Sequence, residues 1–197
     1  MKIEDAIKLD FSDVLIKPKR STLTSRKDVD VTRSFNFKYS STPWRGIPII
    51  SSNMDTTGTF EMANVLSHYD LVTALHKHYT NDEMYEYLSN QHIKTRNHNL
   101  FVSIGIGDHE WEKYLALVDK LWGTYPNLCI DVANGYMERF VEFCAKARDK
   151  ISDKAIIMAG NVVSSEMTEE LLLNGVDIVK VGIGSGAHCT TRVVAGV

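Results

Sequence analysis

The chain has 197 residues, 44% hydrophobic and 24% charged, with a formal net charge of −3. That is globular composition, which excludes disordered, collagen-like and low-complexity classes, and a mildly acidic chain lacks the basic face of a nucleic-acid binder. No apolar run approaches the about 20 residues that span a bilayer, and the start Met1-Lys2-Ile3-Glu4-Asp5 has acids where a signal peptide needs apolar residues, so a cytoplasmic protein without a membrane partner is expected.

Residues 1–46 are polar and irregular, with Pro18, Pro43 and the basic cluster Lys17, Lys19, Arg20. They read as an N-terminal arm of short strands and loops. No Ser/Gly-rich linker follows, so 1–197 reads as one domain that includes the arm.

From residue 47 short apolar, β-branched runs recur at the spacing of a strand-plus-helix unit. They are Ile47-Pro48-Ile49-Ile50, Leu71-Val72-Thr73-Ala74, Leu100 to Ile104, Leu128 to Val132, Ala155 to Met158 and Asp177 to Val181. The segments between them read as helices. Thr80-Asn81-Asp82-Glu83 spells a capping box. Asp108 is placed to cap the next helix, whose Trp111, Leu115, Val118 and Trp122 share a face. Met137, Phe140, Val141, Cys144 and Ala145 repeat that spacing. Ser165 precedes Glu166, Glu169 and Glu170, acids suited to a helix start, and Gly175 supplies the stop.

This alternation predicts a parallel sheet with helical crossovers, either an open doubly wound sheet or a (β/α)8 TIM barrel. Six units are present where a barrel needs eight. A barrel would therefore be incomplete at Val197, with two strand edges exposed.

Sites in such folds form at the C-terminal ends of strands. Those ends read Ser51-Ser52-Asn53-Met54-Asp55, His76-Lys77-His78-Tyr79, Gly105-Ile106-Gly107-Asp108, Asp131-Val132-Ala133-Asn134-Gly135, Gly160-Asn161 and Gly182 to Arg192. Nearly all are polar or glycine-rich, which a ligand site needs and a structural domain does not. In the last loop Gly182, Gly184 and Gly186 permit positive φ, and exposed carbonyls there suit a hard monovalent cation. Cys189 lies beside His188 and near Arg192, where positive charge favours a nucleophilic thiolate; the alternative is a buried small hydrophobe, the reading that fits Cys129 and Cys144. Three cysteines this far apart form no disulfide framework. The glycine pattern is not a dinucleotide fingerprint, because no helix and no later acid follow at the right distance.

His76-Lys77-His78 reads as a ligand-contacting or solvated patch rather than zinc, for want of a third ligand, and Lys77 suits a phosphate. Lys180 reads either as a Schiff-base lysine of an aldolase or as the partner of a strand-end acid such as Asp131. Asp131 and Asn134 sit where a ribose or amide is hydrogen-bonded. Met54 either packs or lies against a flat base.

These residues together resemble the GMP reductase branch of the IMP dehydrogenase/GMP reductase superfamily. The resemblance rests on Leu9-Asp10-Phe11, Pro18-Lys19-Arg20-Ser21, Asn53 to Thr56, Gly58 to Met62, His76 to Tyr79, Asp131 to Tyr136, Met158 to Val163, and Lys180 to Gly184 leading to Cys189-Thr190-Thr191-Arg192. It implies a (β/α)8 barrel, usually a homotetramer, that converts GMP and NADPH to IMP, ammonia and NADP+. It implies Cys189 as the nucleophile on purine C2, giving a thioimidate, with Thr191 assisting proton transfer to the leaving amine together with a glutamate further along the family chain. It places Gly184, Gly186, Cys189 and Arg192 around a K+ site, the first three through carbonyls. Lys77, Asp131, Val132, Ala133, Ile183 and Gly184 match positions near NADPH, and Ser25 and Arg26 match an arm reaching a neighbouring subunit's cofactor. The uninterrupted chain between the second and third strands favours the reductase over IMP dehydrogenase.

Two departures stand out. The family loop reads Gly-Pro-Gly-Ser and a small apolar residue before Cys; here it is Gly184-Ser185-Gly186-Ala187-His188-Cys189. Loss of the proline should loosen the loop, and His188 adds a titratable neighbour. The family barrel also continues past residue 197, so a truncated reductase, weakly active or inactive alone, is expected. IMP dehydrogenase and a non-catalytic nucleotide-binding or assembly partner remain the alternatives.

Overall fold

A computed structural model describes residues 7, 9, 11–92, 95, 98–186 and 188–195. The acidic start, Asp10, Ala187 and Val197, on which parts of the sequence reading fall, lie outside the described residues.

The arm contains 3-10 turns at Phe11–Asp13 and Arg26–Asp28, then strands β1 (Arg33–Phe35) and β2 (Trp44–Gly46), paired antiparallel. The main sheet follows: β3 (Ile50–Ser51), β4 (Val72–Leu75), β5 (Leu100–Ile104), β6 (Asn127–Asp131), β7 (Ile157–Val162) and β8 (Ile178–Val181). These six strands are all parallel and stand in chain order. The described crossover helices are α1 (Phe60–Ser67), α2 (Asn81–Asn90), α3 (Asp108–Lys120), α4 (Glu138–Ile151) and α5 (Ser165–Leu173); α6 (Thr191–Ala195) follows β8. Sequential order in a curled parallel sheet is the arrangement of a partial TIM barrel, which decides between the two architectures.

Apolar residues on both faces of the strands explain the layering. One cluster, with Leu75, Val102, Leu128, Ile130 and Ile157, packs under the helices against Leu88, Leu117, Phe140 and Cys144. The other lines the inner face with Val72, Ala74, Phe101, Cys129 and Met158, capped by Trp44 of the β1–β2 hairpin. Trp44 is held there by its indole N–H, which donates to the His98 carbonyl at 2.7 Å. Burying one large aliphatic or aromatic side chain in these layers contributes roughly 1.5–3 kcal/mol.

The first strand is shorter than the apolar run that announces it. Pro48 has no N–H, while the Ile47 N–H donates to Asp70 O and that of Ile49 to Ile47 O, so pairing starts only at Ile50. The Thr80 capping box forms as expected: Glu83 N–H donates to Thr80 Oγ1, and Thr80 N–H to Glu83 Oε2. Asp108 does not cap α3; Gly107 is the N-cap, without a side-chain bond. Trp122 is 82% exposed rather than buried, because α3 ends before it and its φ is 51°. Met137 is the exposed N-cap of α4 instead of a member of its buried face. Ser164 caps α5, accepting from Met167 N–H, and Gly175, at φ 93°, ends the turn after it.

Candidate active site

The strand ends converge on one side of the sheet. Asp131, the last residue of β6, forms an ion pair with Lys180 of β8, whose ammonium also donates to Asn53 Oδ1 at 3.0 Å. Lys180 is thus the partner of a strand-end acid and not a free amine available for a Schiff base. Val132 is stitched to the next strand through its N–H to Gly160 O at 2.9 Å and its carbonyl, which accepts from Asn161 N–H at 3.0 Å. Ala133 is exposed in the loop beyond, and Asn134 Oδ1 accepts from Tyr136 N–H at 3.0 Å. Met54 is exposed rather than packed.

After β8 the chain turns sharply. Gly182 and Gly184 have φ of 124° and 64°, a region where a side chain is strained. At Gly184 a Cβ would also lie 2.6 Å from Arg192 Cγ. Gly186 needs neither freedom: its φ is not positive, and a Cβ would meet only Cys189 at ordinary contact. Arg192 Nε donates to the Ile183 carbonyl at 2.9 Å and ties the two ends of the loop together. Inside it, Cys189 N–H donates to Gly186 O at 3.0 Å.

Cys189 is exposed, whereas Cys129 and Cys144 are buried. Its sulfur lies 3.2 Å from Thr191 Oγ1. Hydrogen bonds from the Thr191 hydroxyl and backbone N–H, with the Arg192 charge a lesser cause, hold the Cys189 thiol below its ordinary pKa. Burial does the opposite elsewhere, pushing Cys129 up to about 11 and Cys144 up to about 12. Of the three thiols, the exposed one is shifted toward the thiolate and the two buried ones away from it.

At the end of β4, Lys77 pairs with Glu110 Oε1 at 3.5 Å. Lys113 Nζ donates to the carbonyls of Lys77 and Tyr79 and so fixes this turn. His76 is buried and stacks on Tyr79 at 4.0 Å; burial, then the neighbouring His78, lowers its pKa. Among the described residues no group of three or more His, Cys, Asp or Glu could hold a metal ion. Ser25 and Arg26 lie in the exposed arm. The Ser25 hydroxyl accepts from Lys27 N–H, and the described hydrogen bonds of both residues stay within the arm.

Sequence reasoning missed Glu110 and the bridging role of Asn53. Glu110 occupies the third position of α3 after Gly107, a spacing that signals a carboxylate turned back to the strand end. Nothing local signals Asn53, whose partner is 127 residues away.

The donor set of the last loop is chemically suited to a monovalent cation. Neutral carbonyls of Gly184, Gly186 and Cys189 are the oxygen type such an ion takes, and the Arg192 guanidinium on the same loop disfavours a divalent one. Asp131 offers a hydroxyl acceptor and Lys77 a phosphate partner at the ends of β6 and β4, donor types that suit a dinucleotide.

Comparison with known proteins agrees with this geometry. The family model for the IMP dehydrogenase / GMP reductase domain matches residues 8–197. A GMP reductase of Escherichia coli O81 (strain ED1a) is 53% identical over 197 residues, all of this chain and 56% of that protein. One from Salmonella paratyphi C (strain RKS4594) shows the same identity and coverage. The structure of inosine 5' monophosphate dehydrogenase from Legionella pneumophila superposes with a TM-score of 0.75 at 29% identity, covering 96% of this chain and 55% of that one. The chain thus spans a little over half the length of these relatives. With its parallel strands in barrel order, its glycine–cysteine loop after β8 and a family match over nearly every residue, the chain belongs to the IMP dehydrogenase / GMP reductase domain family.

Proposed function

We propose that this chain carries the nucleophile-bearing part of a GMP reductase, a cytoplasmic enzyme of purine nucleotide interconversion that deaminates GMP reductively to IMP and ammonia with NADPH. The observation that carries this reading is the exposed Cys189 thiol, lowered in pKa and 3.2 Å from the Thr191 hydroxyl at a strand end. The 53% identity to proteins named GMP reductase, against 29% to an IMP dehydrogenase, favours the reductase.

The chemistry follows from the residues. The Cys189 thiolate bonds to purine C2. A neutral amine leaves poorly, so the exocyclic nitrogen takes a proton with help from Thr191 before its bond to C2 breaks and ammonia departs. The product of this half is a thioimidate on Cys189. NADPH, when bound, would supply the hydride that C2 takes up, and Cys189 would then leave as its thiolate to free IMP. Lys77, Asp131, Val132, Ala133, Ile183 and Gly184 would hold that cofactor, with Ser25 and Arg26 contributed to a neighbouring subunit of a homotetramer. The carbonyls of Gly184, Gly186 and Cys189, beside Arg192, would hold K+ and steady the loop. Residues 1–197 form one incomplete barrel domain with 1–46 as its arm.

The test uses the chain alone and the chain joined to the C-terminal remainder of the E. coli relative. Little NADPH oxidation with GMP is expected from the first and sustained oxidation from the second, lost on Cys189→Ser. A folded joined protein that releases no ammonia from GMP overturns the reading. NADH formation from IMP and NAD+ would assign the dehydrogenase instead.

A further inference from the structure

Asp131, Gly160 and Lys180 stand in one row across β6, β7 and β8: Asp131 is in register with Gly160, and Gly160 with Lys180. Adjacent strands lie about 4.8 Å apart, so Asp131 and Lys180 are two strand spacings from each other. Their side chains meet because the middle position has none. A Cβ on Gly160 would lie 2.6 Å from both Lys180 Cβ and Lys180 O. The lysine stem runs over this gap to the Asp131 carboxylate. The same ammonium reaches Asn53 Oδ1 at 3.0 Å, in the loop after β3, on the far edge of the sheet. One cation thereby ties together three strand ends, two of them at opposite edges.

We propose that Lys180 is a positioning residue for the cofactor: its ammonium, carried over the Gly160 gap, holds the Asp131 carboxylate in the orientation that receives NADPH. The proposal rests on the reductase reading of this mouth. Asp131 ends a strand and is only partly buried, so its second oxygen needs a fixed direction to accept from a ligand hydroxyl. The ion pair and the Asn53 bond supply that direction before the ligand arrives, which lowers the ordering cost of binding. Cys189 lies in the loop beyond β8, nine residues along the chain, and the described hydrogen bonds of its loop do not include Lys180 or Asp131.

The experiment measures NADPH affinity of the full chain from the cofactor's own fluorescence, and GMP affinity by calorimetry. Lys180→Met removes the charge and keeps the stem. It is expected to weaken NADPH about tenfold, the scale of one hydrogen bond to a charged group, with GMP affinity within about twofold of wild type. Lys180→Arg should restore most of the NADPH affinity. In an Asp131→Asn background Lys180→Met should add less than about twofold, because its effect passes through that carboxylate. Unchanged NADPH affinity, parallel loss of both ligands with a lowered unfolding midpoint, or full additivity with Asp131→Asn each overturn the proposal. Failure of wild type and variants alike to bind NADPH overturns it together with the cofactor site. Binding of NADPH without turnover of GMP counts against the reductase reading alone, since the Lys180 comparison is read from binding.

Discussion

The two rims of the sheet use polar side chains in opposite ways. At the strand starts these groups are consumed by backbone. Asn99 Nδ2 donates to Leu71 O at 2.8 Å, Asn127 accepts from Ile156 N–H at 3.0 Å, and Asp177 accepts from Ile157 N–H at 2.9 Å. Arg148, almost buried, pairs with Asp177 and donates to the carbonyls of Gly175, Tyr39, Ser152 and Ala155. At the strand ends Lys77, Asp131, Lys180 and Cys189 bind one another or a neighbouring side chain, at an open mouth. Lys113 and Arg192 do such backbone work at the strand ends too, beside side chains that pair with one another. Burial and the number of backbone partners, more than the presence of charge, separate the two rims: the Arg148–Asp177 pair is buried, whereas Lys77–Glu110 and Lys180–Asp131 are partly exposed.

The contrast can be broken from either end. The largest effect belongs to Cys189→Ser in the chain joined to the C-terminal remainder of its relative: GMP turnover should fall on the order of 10³-fold or more while the urea midpoint stays put, since the residue is exposed. A stability loss matching the activity loss would erase the distinction between rims. At the other rim Arg148→Met leaves Asp177 as a buried carboxylate without its cation, and should cost about 3–5 kcal/mol in equilibrium urea unfolding. Cys189 should react with iodoacetamide at pH 7 on the order of 10² times faster than Cys129 or Cys144, read by peptide mass mapping, because their pKa values of about 11 and about 12 leave almost no thiolate. Asn127→Leu strips partners from Leu100 O and Ile156 N and should destabilise by about 2 kcal/mol in the same unfolding assay.

The smallest effect is a pH dependence. Burial lowers the His76 pKa from the ordinary 6.5, so the unfolded chain takes up a proton before the folded one does. The stabilising difference is fully present above 6.5 and is lost as pH falls through that value. Urea midpoints measured from about pH 7.5 down to about pH 5 in wild type and His76→Gln should converge toward the acid end. Parallel curves would show that His76 contributes nothing.

Much of this was legible in order along the chain. The six apolar runs, the Thr80 box and the polar strand ends are local patterns with a local cause: alternation of strand and helix periods, a hydroxyl three residues before a carboxylate, glycine where the backbone turns back. The boundaries that were misplaced also have local physical reasons. Proline removed a donor from the first strand, and α3 stopped two residues before Trp122. Glu110, Asn53 and the Arg148 hub were not legible, because each acts on a partner outside its own segment. Asn53 and Lys180 are the extreme case, 127 residues apart.

The sequence by itself determined that strands and helices would alternate, that chemistry would gather after the strands, and that Cys189 would stand in a glycine-rich turn with a hydroxyl two residues on. These follow from short-range sterics and hydrogen bonding, which a linear reading can follow. Only the tertiary structure decided that the sheet curls in chain order, that Gly160 opens a path from Lys180 to Asp131, and that two cysteines are buried while one is exposed. Register between strands and depth of burial set those outcomes, and both are properties of residues brought together by packing rather than by the chain.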